Sequence, residues 1–246
     1  MRERRVDAGR AHLWVGSHQS EPHAELPALL CSGGPGCCDY LEPVAQMFDD
    51  LADVWRFEQR GCGRSDACPP YDLDTCLSDL EAVRSALGYE RWLVGGHSWG
   101  ANLALAYALV RPERVRGLVY LAGPGLQNDR SWSEIYRRNL EQRGERHPDF
   151  RFPTNREVNR ECMRSWRLFV QRADLWQRVA ALDVPTLVVV AGRDVRPGWP
   201  AEQLAAALPS ARLVVLEEAE HAIWLDGHDN AARLRVALRD FVSGLR

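Results

Sequence analysis

The sequence contains no lysine: all 31 basic residues among its 246 are arginine, set against 34 acidic residues for a formal net charge of −3. That balance leaves no electrostatic footprint for nucleic acid. The arginine-only usage reads as a bias of a G+C-rich genome, so arginine clusters carry little functional weight. Also missing is any apolar run near the roughly 18–20 residues that cross a bilayer. Met1-Arg2-Glu3-Arg4-Arg5 passes into Val6-Asp7 without an apolar signal region, and the expectation is a soluble, cytoplasmic protein with no membrane partner. No CxxC pair occurs among Cys31, Cys37, Cys38, Cys62, Cys68, Cys76 and Cys162. An odd count with two adjacent cysteines suits reduced thiols and argues against a disulfide framework or a zinc site. Neither metal nor cofactor is expected.

What is present is a globular composition, 46% hydrophobic and 26% charged, in a length that one large α/β domain accommodates. Short alternating segments near 4–7 and 11–16 read as a hairpin. From residue 27 on, strands at 27–31, 53–57, 91–95, 115–122, 185–191 and 213–216 alternate with helical spacing at 73–87, 101–109, 201–208 and 230–245. That order predicts an α/β fold with a mostly parallel sheet covered by helices on both faces. Between Pro124 and Leu182 the alternation breaks into helix-only periodicity rich in Arg, Glu and Trp. The predicted organisation is a core of residues 1–124 and 183–246 interrupted by a helical lid over 125–182.

The most informative stretch is Gly96-His97-Ser98-Trp99-Gly100, a G-x-S-x-G set between an apolar strand and a small-residue helix. The glycines permit a turn too tight for side chains, and the turn holds the Ser98 hydroxyl out at the sheet edge. The helix N-terminus behind it adds positive potential where an oxyanion would form. A serine hydroxyl needs a base to take its proton and a carboxylate to orient that base. Chain order supplies Asp194, after the strand ending at Ala191, and His221, after the strand ending at Leu216. His228, in Asp226-Gly227-His228-Asp229, reads as a surface turn. His97 adjoins the nucleophile and is expected to point away from it, and His12, His18, His23 and His147 carry no partner signal.

These motifs resemble the α/β-hydrolase superfamily, and within it the proline iminopeptidase group. Ser32-Gly33-Gly34-Pro35-Gly36 is similar to that group's HGGPG loop and Glu58-Gln59-Arg60-Gly61-Cys62-Gly63-Arg64-Ser65 to its DQRGCGRS, over roughly residues 27–125 and 183–245. The resemblance implies an oxyanion hole from the backbone amides of Gly34 and Trp99, each such donor worth on the order of 2.7–4 kcal/mol in the barrier. The arginine-rich loop at 60–65 reads as structural support.

The chain departs from that group at Ser32 in place of His, Glu58 in place of Asp, and His97 in place of Gly. In the insertion, Trp166-Arg167-Leu168-Phe169-Val170 puts an apolar residue where the group's W-S-x-W-E pattern has its amine-binding acid. Glu157 and Glu161, flanked by Arg156 and Arg160, read as a solvated helix face. From Arg130 to Arg178 twelve Arg face seven acids, a charged surface before it is an anion trap. The expected function is therefore a serine hydrolase that cleaves an ester, thioester or amide of a small, partly apolar substrate through an acyl-enzyme. The rivals are a proline iminopeptidase-like aminopeptidase, a carbon–carbon bond hydrolase or cofactor-free perhydrolase, and a noncatalytic small-molecule-binding protein. Epoxide hydrolysis and dehalogenation, which place Asp at the elbow, are disfavoured by Ser98 there.

Overall fold

Runs of apolar residues that alternate between two cores decide how the sheet is covered. The computed structural model describes residues 1–19, 24–48, 51–126, 130–225 and 228–245. Among them, eight strands form one sheet in the order β1-β2-β4-β3-β5-β6-β7-β8. β1 (Arg2–Asp7) and β2 (His12–Ser17) form an antiparallel hairpin, and β2 pairs antiparallel with β4 (Asp53–Phe57). From β4 onward, β3 (Pro27–Cys31), β5 (Trp92–His97), β6 (Val115–Leu121), β7 (Thr186–Ala191) and β8 (Ala211–Leu216) run parallel.

β3, β4, β5 and β7 are buried at every position, as strands with both faces covered require. Leu29, Cys31, Trp55 and Val188 enter one core, and their neighbours Ala28, Leu30, Val54 and Val189 the other. The first core is closed by α2 (Leu73–Ala86), α3 (Trp99–Val110) and α7 (Trp199–Ala207), the second by α1 (Glu42–Gln46) and α8 (His228–Ser243). α2 is the amphipathic helix its spacing predicts: Leu73, Cys76, Leu77, Leu80 and Val83 are buried, and Asp72 caps it by accepting the Thr75 amide at 2.8 Å. α3 is apolar nearly all round and buried throughout except Val110; such a helix lies inside the molecule.

Three helices lie between β6 and β7: α4 (Arg130–Arg143), α5 (Arg156–Val170) and α6 (Leu175–Ala180). The buried face of α5, Val158, Cys162, Trp166 and Phe169, joins the first core. No described helix is long and apolar enough to cross a membrane. All seven cysteines are free.

β3 has β4 on one side and β5 on the other, so successive connections from β3 to β4 and from β4 to β5 run in opposite directions across the sheet. Open parallel sheets bind ligands at such a reversal, beyond the carboxyl ends of the strands. The loops after β3, β5, β7 and β8 all emerge at that edge.

The loop after β4 is fixed by ion pairs. Arg60 forks onto Asp79 of α2, with both side chains nearly inaccessible, and Glu58 accepts the Arg64 amide and guanidinium. Removing one partner of such a pair leaves a buried charge uncompensated. Asp79→Ala should therefore lower the unfolding free energy by about 3–5 kcal/mol in urea titration; a loss below about 1 kcal/mol would refute the structural role.

Candidate active site

Two glycines make the turn after β5 possible. A β-carbon on Gly100 would lie 2.0 Å from the Cys31 carbonyl oxygen, and one on Gly96 would lie 2.3 Å from Gly100. With neither present, α3 starts directly against β3. Ser98 between them is held at φ 58°, ψ −126°, a left-handed backbone that costs a non-glycine residue about 1–3 kcal/mol.

Ser98 lines a pocket of about 640 Å³ together with Gly34, Trp99, Asn102, Trp132 and Trp166, within the size range of small-molecule sites. Gly34 takes φ +55°. The amide of its neighbour Gly33 is already committed to the Tyr40 hydroxyl at 2.7 Å. α5 is stitched to this loop: Asn155 donates its amide to the Gly36 carbonyl and Asn159 its side-chain amide to that of Pro35.

Asp194 and His221 are brought together, with Asp194 Oδ2 and His221 Nδ1 2.5 Å apart and both side chains buried. Their loops are tied to each other by the Arg193 amide on the Ala219 carbonyl and the Gly192 amide on that of Leu216. Burial opposes ionisation of Asp194, but His221 and Arg196 overcome it and hold the carboxyl down at about 2. Arg196 gives the outer oxygen, Oδ1, its backbone amide at 2.9 Å and its guanidinium at 3.2 Å. Ser98 Oγ has no hydrogen bond among the described residues, and none joins it to His221.

The link between the elbow and the His221 loop runs through His97. Gly33 N–H donates to Tyr40 Oη, Tyr40 O–H donates to His97 Nδ1 at 2.8 Å, and His97 Nε2–H donates to the His221 carbonyl at 2.9 Å. The carbonyl can only accept, which fixes the tautomer. Burial, with His221 beside it, holds His97 well below the usual imidazole range, so it stays neutral. The two rings lie 4.5 Å apart. His97 thus faces the His221 loop and makes no hydrogen bond to Ser98.

Residues 27–157, more than half of the chain, match the alpha/beta hydrolase fold family. The chain belongs to the α/β-hydrolase family. Over 100 residues it is 43% identical to the proline iminopeptidase of Neisseria gonorrhoeae, a stretch that covers 38% of this chain and only 31% of that relative. The solved esterase of Thermogutta terrifontis superposes at a TM-score of 0.78 with 20% identity, covering 100% of this chain and 99% of that one. The proline iminopeptidase of Mycobacterium smegmatis gives 0.73 with 21% identity, covering 99% and 98%. These likenesses show the fold.

In this α/β-hydrolase, Tyr40, Arg196 and Glu145 contact the candidate site, and reading the sequence did not single them out. Arg196 sits two residues beyond Asp194, a local signal; Glu145 is hidden in the charge-rich insertion. Glu157 and Glu161 are not among the pocket residues: Glu157 lies beside Arg160 at 3.8 Å, and Glu161 accepts the Tyr71 amide at 2.9 Å. Val170 packs against the core. His23 and the turn at 226–227 lie outside the described residues, as does the side chain of His228.

Because the folded carboxyl of Asp194 lies below its ordinary 3.8, it adds stability above that value and loses it as pH falls toward 2. Asp194→Asn lacks this contribution. The stability gap between wild type and the variant should shrink by about 1–2 kcal/mol between about pH 5 and about pH 2.5 in urea titrations; a gap that does not change with pH would refute the assignment.

Proposed function

We propose that the protein is a serine hydrolase in which Ser98, His221 and Asp194 act as a triad on an ester, thioester or amide of a small, partly apolar substrate. The observation that carries this reading is the buried Asp194–His221 pair at the same sheet edge as a serine held in a strained elbow. Asp194 fixes Nδ1–H of His221, which leaves Nε2 free to take the Ser98 proton. Ser98 Oγ attacks the acyl carbon, and the negative charge that forms on the carbonyl oxygen is received by the amides of Gly34 and Trp99. When the intermediate collapses, His221 gives its proton to the leaving group. Water then attacks the acyl-enzyme, His221 takes and returns the second proton, and the acid product departs with Ser98 restored. Catalytic hydrogen bonds tighten in the substrate complex, and the Ser98–His221 contact is the one that must do so here. Residues 125–182 serve in this reading as the lid, with Trp132 and Trp166 supplying its apolar faces.

The pocket lining favours this over an aminopeptidase reading. Among the described residues it contains Arg160, Arg167 and Arg196 and no carboxylate. Asn102 Nδ2 and Trp99 Nε1 are buried donors without partners. Guanidinium groups and unpaired buried donors suit a substrate that presents acceptor oxygens and disfavour a free ammonium group.

A fluorophosphonate should add one mass adduct to wild type and none to Ser98→Ala, with ester turnover falling by at least about four orders of magnitude in the variant. A p-nitrophenyl ester with a neutral or carboxylate-ended acyl chain should be cleaved, and proline β-naphthylamide should not. Full turnover by Ser98→Ala would overturn the mechanism, and rapid release of β-naphthylamine would overturn the substrate assignment.

A further inference from the structure

The C-terminal end of α4 and the segment that joins it to α5 are clamped onto the loop that carries Asp194 and its surroundings. Arg143 donates to the Arg193 and Asp194 carbonyls, each at 3.2 Å, Asn139 to that of Val195 at 3.1 Å, and Arg146 to that of Leu225 at 2.7 Å. At the centre of this clamp, Glu145 takes both ends of the Arg196 guanidinium, at 2.7 and 3.2 Å. The same guanidinium touches Asp194. The Glu145 and Asp194 side chains are only 5% and 6% exposed, so solvent screens these charges little. Arg196 also lies over the ring of Tyr136 in α4, 5.2 Å from its centre.

This arrangement sets two cation partners against one carboxylate. Asp194 must lend its charge to His221 when the imidazole takes the Ser98 proton, yet Arg196 competes for that charge from the other oxygen. Glu145 resolves the competition by neutralising Arg196 from the far side. We propose that Glu145 is a positioning residue whose seating on Arg196 leaves the Asp194 charge to His221, so that the triad is electrostatically complete only when the α4–α5 segment is docked. This inference rests on the Ser98–His221–Asp194 reading.

Other charges near His221 are accounted for. His97 of β5 is neutral. Glu218 and Glu220 on its own loop, with Arg143, Arg146 and Arg193, line an open depression of about 1030 Å³ that His221 shares with Glu145. All of these are retained in the variants below.

The test is the pH profile of kcat/KM for a p-nitrophenyl ester. Glu145→Gln keeps the shape but leaves the guanidinium uncompensated, which disfavours a proton on His221. The acidic limb should move down by about half a pH unit or more and plateau kcat should fall about tenfold, with Ser98 still labelled by fluorophosphonate. The double variant Glu145→Gln/Arg196→Met removes both charges and should return the limb to within about 0.2 units of wild type. A limb unmoved in Glu145→Gln, or moved equally in the double variant, would overturn the inference while labelled wild type leaves the triad standing. An unlabelled wild type with no acidic limb would overturn both.

Discussion

The site depends on how closely α3 approaches β3. Without a side chain at Gly100 the first turn of the helix rests on the Cys31 carbonyl, and without one at Gly96 the chain can double back between strand and helix. Ser98 is forced into its left-handed backbone by that approach, and the strain persists because α3 is buried on every side and cannot retreat. The Gly33–Gly34 loop leaves β3 at the same point, and a β-carbon on Gly33 would lie 2.6 Å from that of Ser98. Candidate nucleophile and candidate oxyanion loop are thus set by one packing constraint, with the reversal of strand order at β3 opening the crevice above them.

The groups proposed to act with Ser98 arrive from the far half of the sheet, across β6, and their loop is joined to the elbow by hydrogen bonds through His97. Tyr40 and His97 tie the oxyanion loop to the His221 backbone. The insertion is tied to both halves: α5 is pinned to Pro35 and Gly36, and the C-terminal end of α4 to Arg193, Asp194 and Val195. A helical segment is anchored at the loops after β3 and β7, so its position bears on both the Gly34 loop and the loop that carries Asp194.

The parts of this arrangement that were legible in the sequence are local ones. The Ser98 elbow, the Gly33–Gly36 loop and the strand–helix alternation each announce themselves within a few residues, through glycines that only a tight turn requires or an apolar run of strand length. Asp194 and His221, which the structure pairs, could be singled out because chain order confines each to one loop. α3 begins at Trp99 rather than the expected Ala101 because the residues that form the elbow also form the first helical turn. The five-residue α1, with Pro43 in its first turn, leaves too short a pattern to read. Tyr40, Glu145 and Arg196 were missed for another reason. Their roles are pairings between segments, and a tyrosine after a turn or a glutamate among arginines carries no local mark of its partner.

Arginine shows why composition alone misjudges this chain. In a protein without lysine every cation is a guanidinium, so abundance says nothing about purpose. Burial and partner geometry separate the arginines instead. Arg60 on Asp79 and Arg196 on Glu145 are held by two nitrogens each, and Arg196 reaches a second carboxylate as well. A planar fork can bridge two carboxylates in fixed directions, which a single ammonium does far less well. Arg160, by contrast, is 72% exposed with its nearest acid 3.8 Å away, and such a pair contributes little to stability. The same residue type is therefore a structural rivet after β4, a charge regulator beside Asp194 and a solvated cation at the pocket rim. Only the surrounding carboxylates distinguish the three.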